Sequence, residues 1–564
     1  MGAVYGTRKS LGKVGAQRTS AETAEATTGQ DPGNPDSQAV RGAASFRILI
    51  DSGGTRGDQQ PLIWLSRCLM ARGHTLHALV PFNLVDLWKA SGVAAVAAHF
   101  DHDAVFKLCG GVDADFMRFL GDLARAVPRW MEDHSQDLAE ASKAIKSFKP
   151  DAVVWTIDPE NAEAYERETG VPAVGVLCSG SVVVHQHVMR LNREPPRPTF
   201  VTTSGLIDSP LPDDLVPCLH RTGAWLPPCD GKPEDASLPE LEAFLSGGPP
   251  PVAIGWGSMI PKGMSLAEML ILALQALHLA GRRGVIVGGW ARLDQLGVSD
   301  VRAGTAEGEW CSSGWSGHNS RFNGMFVLDP ALTRDGLPVY KHRKEDLFKL
   351  WCTGDGTWRI GHAFWATYSP TRCFAFAKSN TLCPSESSVW MEHKNMDDSF
   401  DEEDFVANPQ VQVGRAATPE KLFEFAKEQC HFVPSVSYQW LFPRCSCIVH
   451  HGGAGTTNAA LAAGKPAVVT PIAFDQFHWS SRVNSLKVGF GFGGGVGFGG
   501  GFGFGGGSGF GGNLSTIAAA DLAEAILEAE SCADAAKALG EEMRHEGGAE
   551  AAAVILETFL QGRT

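Results

Sequence analysis

The stretch "IVHHGGAGTTNAALAAGKPAVV", Ile448 to Val469, decides the fold. An apolar run leads into a Gly-Gly-Ala-Gly turn, and Thr456, Thr457 and Asn458 then open a short helix that Gly464 and Pro466 end. A strand, a turn and a helix in this order gather free backbone N–H groups, hydroxyls and the positive end of a helix dipole at one place, which suits an anion. Narrower readings fail on spacing. The dinucleotide fingerprint needs a third Gly where Asn458 stands, and a nucleoside-triphosphate loop needs Ser or Thr where Pro466 follows Lys465. His450 and His451 are adjacent at a strand end and point to opposite sides, with no Cys or carboxylate near at ligand spacing, so no metal is expected.

Outward from this stretch the chain alternates strands and helices. "FRILIDSGGTRGDQQPLIWLSRCLMARGHTLHALVP" (Phe46 to Pro81) reads as strand, Gly-rich loop, helix and strand, with Pro61 in the first helical turn and Gly73 after the last. Further strands are predicted at Asp151–Ile157 and Pro172–Leu177. A Pro- and Gly-rich link follows near 227–235 and 247–251, and a second alternation begins with "PVAIGWGSM". The fold class is therefore α/β with two mainly parallel sheets. We place a first domain at 46–235 and a second at 250–300 and 402–564. Residues 301–401, rich in Trp, Phe and Gly, form a small β-rich insertion. In the second domain Gly257 and Ser258, like Asp475 and Gln476, fall at carboxyl ends of strands, where open parallel sheets hold ligands. Phe and Gly alternate over 489–512 with no structural period, which predicts a flexible loop.

Composition excludes several classes. The 564 residues carry 48 Lys and Arg against 63 Asp and Glu, a net charge of −15, which argues against nucleic acid as a partner. Thirteen cysteines without a CxxC pair read as scattered thiols. No apolar run approaches the ~20 residues that cross a bilayer. Residues 1–45 hold few large apolar side chains and read as a disordered tail, whose Arg8, Lys9, Lys13 and Arg18 keep an organelle transit peptide open. The expected location is cytoplasmic, with peripheral membrane contact where the substrate is a lipid.

Several ordered motifs then carry a resemblance. "GTRGDQQP", "HRTGAW", "PPPVAIGWGSM", "VPSVSYQWLFPRC", "HHGGAGTT" and "GKPAVVTPIAFDQFHWSSRV" are similar to those of the sterol 3-beta-glucosyltransferases, within the wider UDP-glycosyltransferase group. The resemblance runs from about Phe46 to Asp300 and again from about Cys430 to Val488. It implies two facing Rossmann-like domains, the GT-B arrangement, with UDP-glucose held mainly by the second. By the same resemblance, His451, Gly452, Gly453, Gly455, Thr456 and Thr457 hold the diphosphate, helped by Gly257 and Ser258. Asp475 and Gln476 meet the sugar hydroxyls, and the backbone near Val433 meets the uracil. Asp58 occupies the slot of the catalytic base and deprotonates the acceptor hydroxyl; its plainer reading is a helix cap or an ion pair with Arg56. No cofactor or metal is implied, and no protein partner. Plant-type relatives bind the donor ribose with a Glu where Ala459 stands, which weakens the case for UDP. Two competing readings are transfer to another hydrophobic alcohol, such as a polyketide or terpenoid, and a silent sugar- or lipid-binding scaffold. The latter would use Trp310, Trp315, Trp351, Trp358, Trp365 and Trp390 as stacking platforms, against the simpler role of packing the insertion.

Overall fold

The computed structural model describes most of residues 45–563. Residues 1–44, 179–196, 211–218, 228–237, 290–309, 380–388, 394–404 and 494–512, with shorter stretches, fall outside the described residues. The expected tail and most of the expected Gly/Phe loop lie among these.

The first sheet has seven parallel strands in the order β3-β2-β1-β4-β5-β6-β7: β1 (Arg47–Asp51), β2 (Thr75–Pro81), β3 (Ala94–His99), β4 (Ala152–Trp155), β5 (Ala173–Leu177), β6 (Thr199–Val201) and β7 (Leu219–Arg221). Its central strands are continuous apolar runs because helices cover both faces. Helix α1 (Arg56–Ala71) follows β1, and α2 (Phe116–Asp133) starts at the N-cap Asp115, whose carboxylate accepts from the N–H groups of Met117 and Arg118. The strand order reverses between β1 and β4, so the loop after β1 lies at the topological switch point.

The second sheet starts with β8 (Val252–Gly255), α3 (Leu266–Ala280) and β9 (Gly284–Val287). Helix α3 opens with a capping box, Ser265 with Glu268, and ends at Gly281 in the left-handed conformation, φ 62°. The insertion follows as nine antiparallel strands, β10 (Trp310–Ser313), β11 (Gly324–Arg334), β12 (Leu337–His342), β13 (Phe348–Cys352), β14 (Thr357–His362), β15 (Ala375–Lys378), β16 (Trp390–His393), β17 (Phe405–Asn408) and β18 (Gln412–Arg415). The sheet order runs from β17 stepwise to β10 and then β18, so β17 and β18 occupy opposite edges although only residues 409–411 separate them. That link reaches roughly 15 Å at full extension, whereas a flat sheet of this width would hold its edges on the order of 40 Å apart. The sheet must therefore curl towards closure, like a barrel. It extends past the 301–401 span expected from sequence, since its last two strands are short and lie among polar residues. Trp310, Trp315, Trp351, Trp358 and Trp390 are buried and Trp365 is partly so. They pack the insertion rather than forming platforms.

The chain re-enters the second sheet at β19 (Cys430–Val433) and continues through β20 (Cys447–His450), α4 (Ala454–Ala462), β21 (Ala467–Val469), α5 (Gln476–Leu486) and β22 (Gly489–Gly491). All six strands are parallel in the order β19-β9-β8-β20-β21-β22, with the reversal between β8 and β20. Two Rossmann-like domains thus face each other, as the resemblance implied. Cys447 opens β20 and Cys445 ends the helical turn before it; both are fully buried, in the cores on either side of the sheet.

Helix α6 (Ala519–Glu530) packs on α3, but the last helix, α7 (Gly548–Gln561), crosses back to the first domain. Its stripe of Ala549, Ala552, Ala553, Leu556 and Leu560 joins the core of Ile48, Leu62, Leu65 and Leu69, and Glu557 pairs with Arg72. The sequence grouped 402–564 with the second domain throughout. The apolar stripe explains the difference, because each large side chain buried there contributes about 1.5–3 kcal/mol. No helix among the described residues is long and apolar enough to cross a membrane.

Candidate active site between the domains

The two topological switch points meet across the interdomain cleft. On the second domain the crevice lies between the turn after β8, with Gly257 and Ser258, and the turn after β20, with His451 to Gly455. His451 sits between them: a Cβ added to Gly257 would meet its Cε1 at 3.5 Å, and one added to Gly453 would meet its Nε2 at 2.6 Å. Burial pushes its imidazole down to about 4, so it is neutral, and its Nδ1 is buried with no hydrogen-bond partner among the described residues. That orphaned atom, on the Gly257 side of a ring whose Nε2 stands beside the N-cap of α4, fits a polar ligand group held between the two turns. His450 behaves differently. It is fully buried, its Nδ1 accepts from the Gly452 N–H at 3.0 Å, and burial lowers it to about 3. The two rings diverge as the strand end dictates, and the described residues hold no cluster of three or more potential metal ligands.

The turn demands its glycines. Gly452 has φ +91°, and a Cβ there would stand 2.7 Å from Val469 Cγ1 and 3.0 Å from the Gln476 carbonyl oxygen. Helix α4 begins at the N-cap Gly453, whose carbonyl accepts from the Thr457 hydroxyl at 2.9 Å. Thr457 is fully buried, so it braces the helix, while Thr456 and Gly455 stay half-exposed at the mouth. Gly455 approaches the first domain closely enough that an added Cβ would lie 3.6 Å from the Gly57 carbonyl.

Beyond β21 the loop turns on Gln476, whose Oε1 accepts from the N–H groups of Ile472 (2.7 Å) and Ala473 (3.0 Å). Gln476 is buried and shapes the loop with that oxygen. Asp475 accepts from Trp479 Nε1 at 2.9 Å. Phe474 just before it has φ +59°, a conformation costly for a bulky residue, and its ring packs edge-on against Phe119 of the first domain at 5.6 Å. Val433 ends β19 fully buried; its carbonyl and that of Pro434 accept from Gly288 and Gly289, at 2.8 and 2.9 Å.

Asp58 lies opposite, half-buried in the first turn of α1. Its Oδ2 accepts from the Thr55 N–H at 2.7 Å and from the Thr55 hydroxyl at 3.2 Å, so the helix-cap reading is realised. Burial raises its carboxyl to about 6, with Asp475 across the cleft adding to the rise and the Thr55 bonds opposing it. Gly54, φ +98°, leaves room for that carboxylate, since a Cβ there would lie within 2.4 Å of Oδ2. Burial raises the hydroxyl of Tyr438 in the second domain, and the charge of Arg56 opposes that rise.

Some supporting residues escaped the sequence reading. Gln59, fully buried, donates to Ser52 Oγ at 2.9 Å and Gly53 O at 2.6 Å while accepting from Trp88 Nε1 at 3.1 Å, which fixes the Gly-rich loop. Asn458 donates to Ala454 O at 2.8 Å and accepts from the Ser204 N–H of the first domain at 3.0 Å. Opposite, Val112 and Pro261 form a parallel bridge between the domains, and Lys262 reaches Asp122 at 2.7 Å. Long-range pairing of this kind leaves no local mark in a sequence.

One comparison with known proteins covers the turns after β20 and β21. Residues 426–494 match the family described as erythromycin biosynthesis protein CIII-like, C-terminal domain. A sterol 3-beta-glucosyltransferase of Cryptococcus neoformans is 51% identical over 57 residues, 10% of this chain and 4% of that protein. Sterol 3-beta-glucosyltransferase UGT80A2 of Arabidopsis thaliana is 46% identical over 63 residues, 11% of this chain and 10% of that one. The matched segments thus span a tenth or less of these relatives. The spinosyn forosaminyltransferase SpnP aligns at 14% identity with a TM-score of 0.47, covering 92% of this chain and 100% of that one, a likeness too loose to argue from. Over about a tenth of its length, then, this chain is similar to the sterol 3-beta-glucosyltransferases of fungi and plants.

Proposed function

We propose that the protein is an inverting glycosyltransferase that moves glucose from UDP-glucose to the 3-hydroxyl of a sterol or a similar lipid. The observation that carries this reading is His451, with its unpartnered Nδ1 towards Gly257 and its Nε2 beside the N-cap of α4, set across the cleft from the carboxylate of Asp58. In the proposed reaction Asp58 takes the proton of the acceptor hydroxyl as its oxygen bonds to the anomeric carbon. The bond from that carbon to the UDP oxygen breaks on the opposite side, inverting the centre. Negative charge building on the departing diphosphate is met by the open N–H groups and dipole of α4 and by His451, so the reaction asks for no metal. In this reaction Asp475 accepts from the sugar hydroxyls.

A carboxyl near 6 suits the role: it is about nine-tenths ionised at pH 7 yet more basic than an ordinary Asp. The test is incubation of the protein with labelled UDP-glucose and a panel of sterols, with product identification; labelled steryl glycoside is expected. Product only with polyketide or terpenoid alcohols would replace the acceptor. Absence of UDP release with every acceptor would overturn the reading in favour of a silent binder, a role for which the buried tryptophans of the insertion offer no platform.

A further inference from the structure

One polar cluster ties the two domains together outside the machinery just described. Asp208, in the loop after β6, is 2% exposed. Its carboxylate accepts from His478 Nε2 at 2.9 Å, from Arg221 Nη2 at 3.0 Å, from Thr203 Oγ1 at 3.2 Å and from the Ser209 N–H at 2.8 Å. His478 belongs to the second domain, in the first turn of α5. Arg482, one helical turn further on the same face, donates through Nε to the Ile207 carbonyl at 2.9 Å. Asn458 of α4 and Glu546 take the N–H groups of Ser204 and Gly205, at 3.0 and 3.1 Å. One loop of the first domain is thus held by both helices that follow the ligand-facing turns of the second.

Helix α5 starts at Asp475, and Trp479, adjacent to His478, holds the Asp475 carboxylate at 2.9 Å. A rotation or shift of α5 therefore moves Asp475. We infer that Asp208 is a positioning residue for sugar transfer: through His478 it locks α5, and with it the Asp475 carboxylate, to the domain that carries Asp58. This rests on the proposed function. Helix α4, which follows the diphosphate turn, holds the same loop through Asn458, a contact that does not pass through His478, so the nucleotide end of the donor keeps a tie of its own. Burial alone would raise the Asp208 carboxyl, but His478 and Arg221 bring it down to about 2, so it stays ionised and keeps demanding its partners.

The variants His478→Phe, His478→Gln and Asp208→Asn test this in the full chain. UDP affinity is measured by titration calorimetry, turnover with labelled UDP-glucose, and domain separation by small-angle X-ray scattering. His478→Phe is expected to lower kcat on the order of a hundredfold through misplacement of the sugar, while UDP affinity falls far less than kcat because Asn458 still ties α4, and with it the diphosphate turn, to the loop. His478→Gln, which restores a donor towards Asp208, is expected to recover most of the loss, which also shows that the fold tolerates the site. Wild-type kcat in His478→Phe would overturn the inference, as would a loss of UDP affinity in proportion to kcat. If the wild-type protein neither binds UDP nor transfers sugar, the proposed function fails instead, and scattering decides the lock: Asp208→Asn should enlarge the radius of gyration, and superimposable profiles would overturn it.

Discussion

Replacing Asp58 by Asn separates what this residue does for the fold from what it does for the reaction. Asn keeps an oxygen for the Thr55 N–H, so the cap survives in outline, but it removes a charge that burial resists. Moving a carboxyl from 3.8 to about 6 corresponds to about 3 kcal/mol of preference for the protonated form. The folded state binds this proton more tightly than the unfolded one. That contribution is therefore complete below pH 3.8 and is lost as the pH climbs through 6. Asn mimics the protonated form, and the Thr55 bonds are already contained in the raised value, so the variant should be more stable than the wild type at pH 8 by about 2–3 kcal/mol. The difference should vanish near pH 4. Activity should move the other way, with kcat/KM falling by about 10²–10⁴ on loss of the base. The wild type should show a single acid limb, with kcat/KM at pH 5 about a tenth of its value at pH 8. Urea or thermal unfolding across pH, paired with initial rates, reads both effects. A variant that keeps more than about a tenth of wild-type kcat/KM, or a wild-type profile flat from pH 5 to 8, would refute the assignment.

Further outcomes follow from neighbouring residues. His451→Ala should weaken UDP binding about tenfold in calorimetry, the worth of one well-placed hydrogen bond. Because burial holds the ring neutral down to about pH 4, His451 itself should add no step to the pH dependence of UDP-glucose affinity between pH 6 and 8. Gly452→Ala, forced into φ +91° with a Cβ against Val469, should lower stability by about 1–3 kcal/mol, and unchanged melting would contradict the turn geometry. Ser265→Ala should cost about 1 kcal/mol through the lost capping box of α3 without altering kcat. If α4 meets the leaving group as proposed, turnover should persist in excess EDTA; full inhibition reversed by a divalent metal would contradict the proposal.

The alternation of strands and helices, the glycine turn after β20 and the Asp58 loop were legible in the sequence because each is local. Apolar periodicity marks a strand or helix within a few residues, and a Gly at φ +91° or a Pro in a first turn leaves a signature where it stands. What Thr457 and Gln476 do was not legible. Each has a side chain able to face a ligand, and only the packing shows that the Thr457 hydroxyl returns to Gly453 and that the Gln476 oxygen holds its own loop. The return of α7 to the first domain and the curling of the insertion past residue 401 were also hidden, since apolar helices and short polar strands do not name their partners. By itself the sequence determined two parallel α/β domains and an anion-ready turn. Tertiary structure alone decided that Asp58 is buried towards Asp475, that His451 keeps an unpartnered nitrogen, and that Asp208 joins His478 across 270 residues of chain. The physical reason is that hydrogen bonding and desolvation depend on what surrounds an atom in space, and that is set by contacts between segments far apart in the chain.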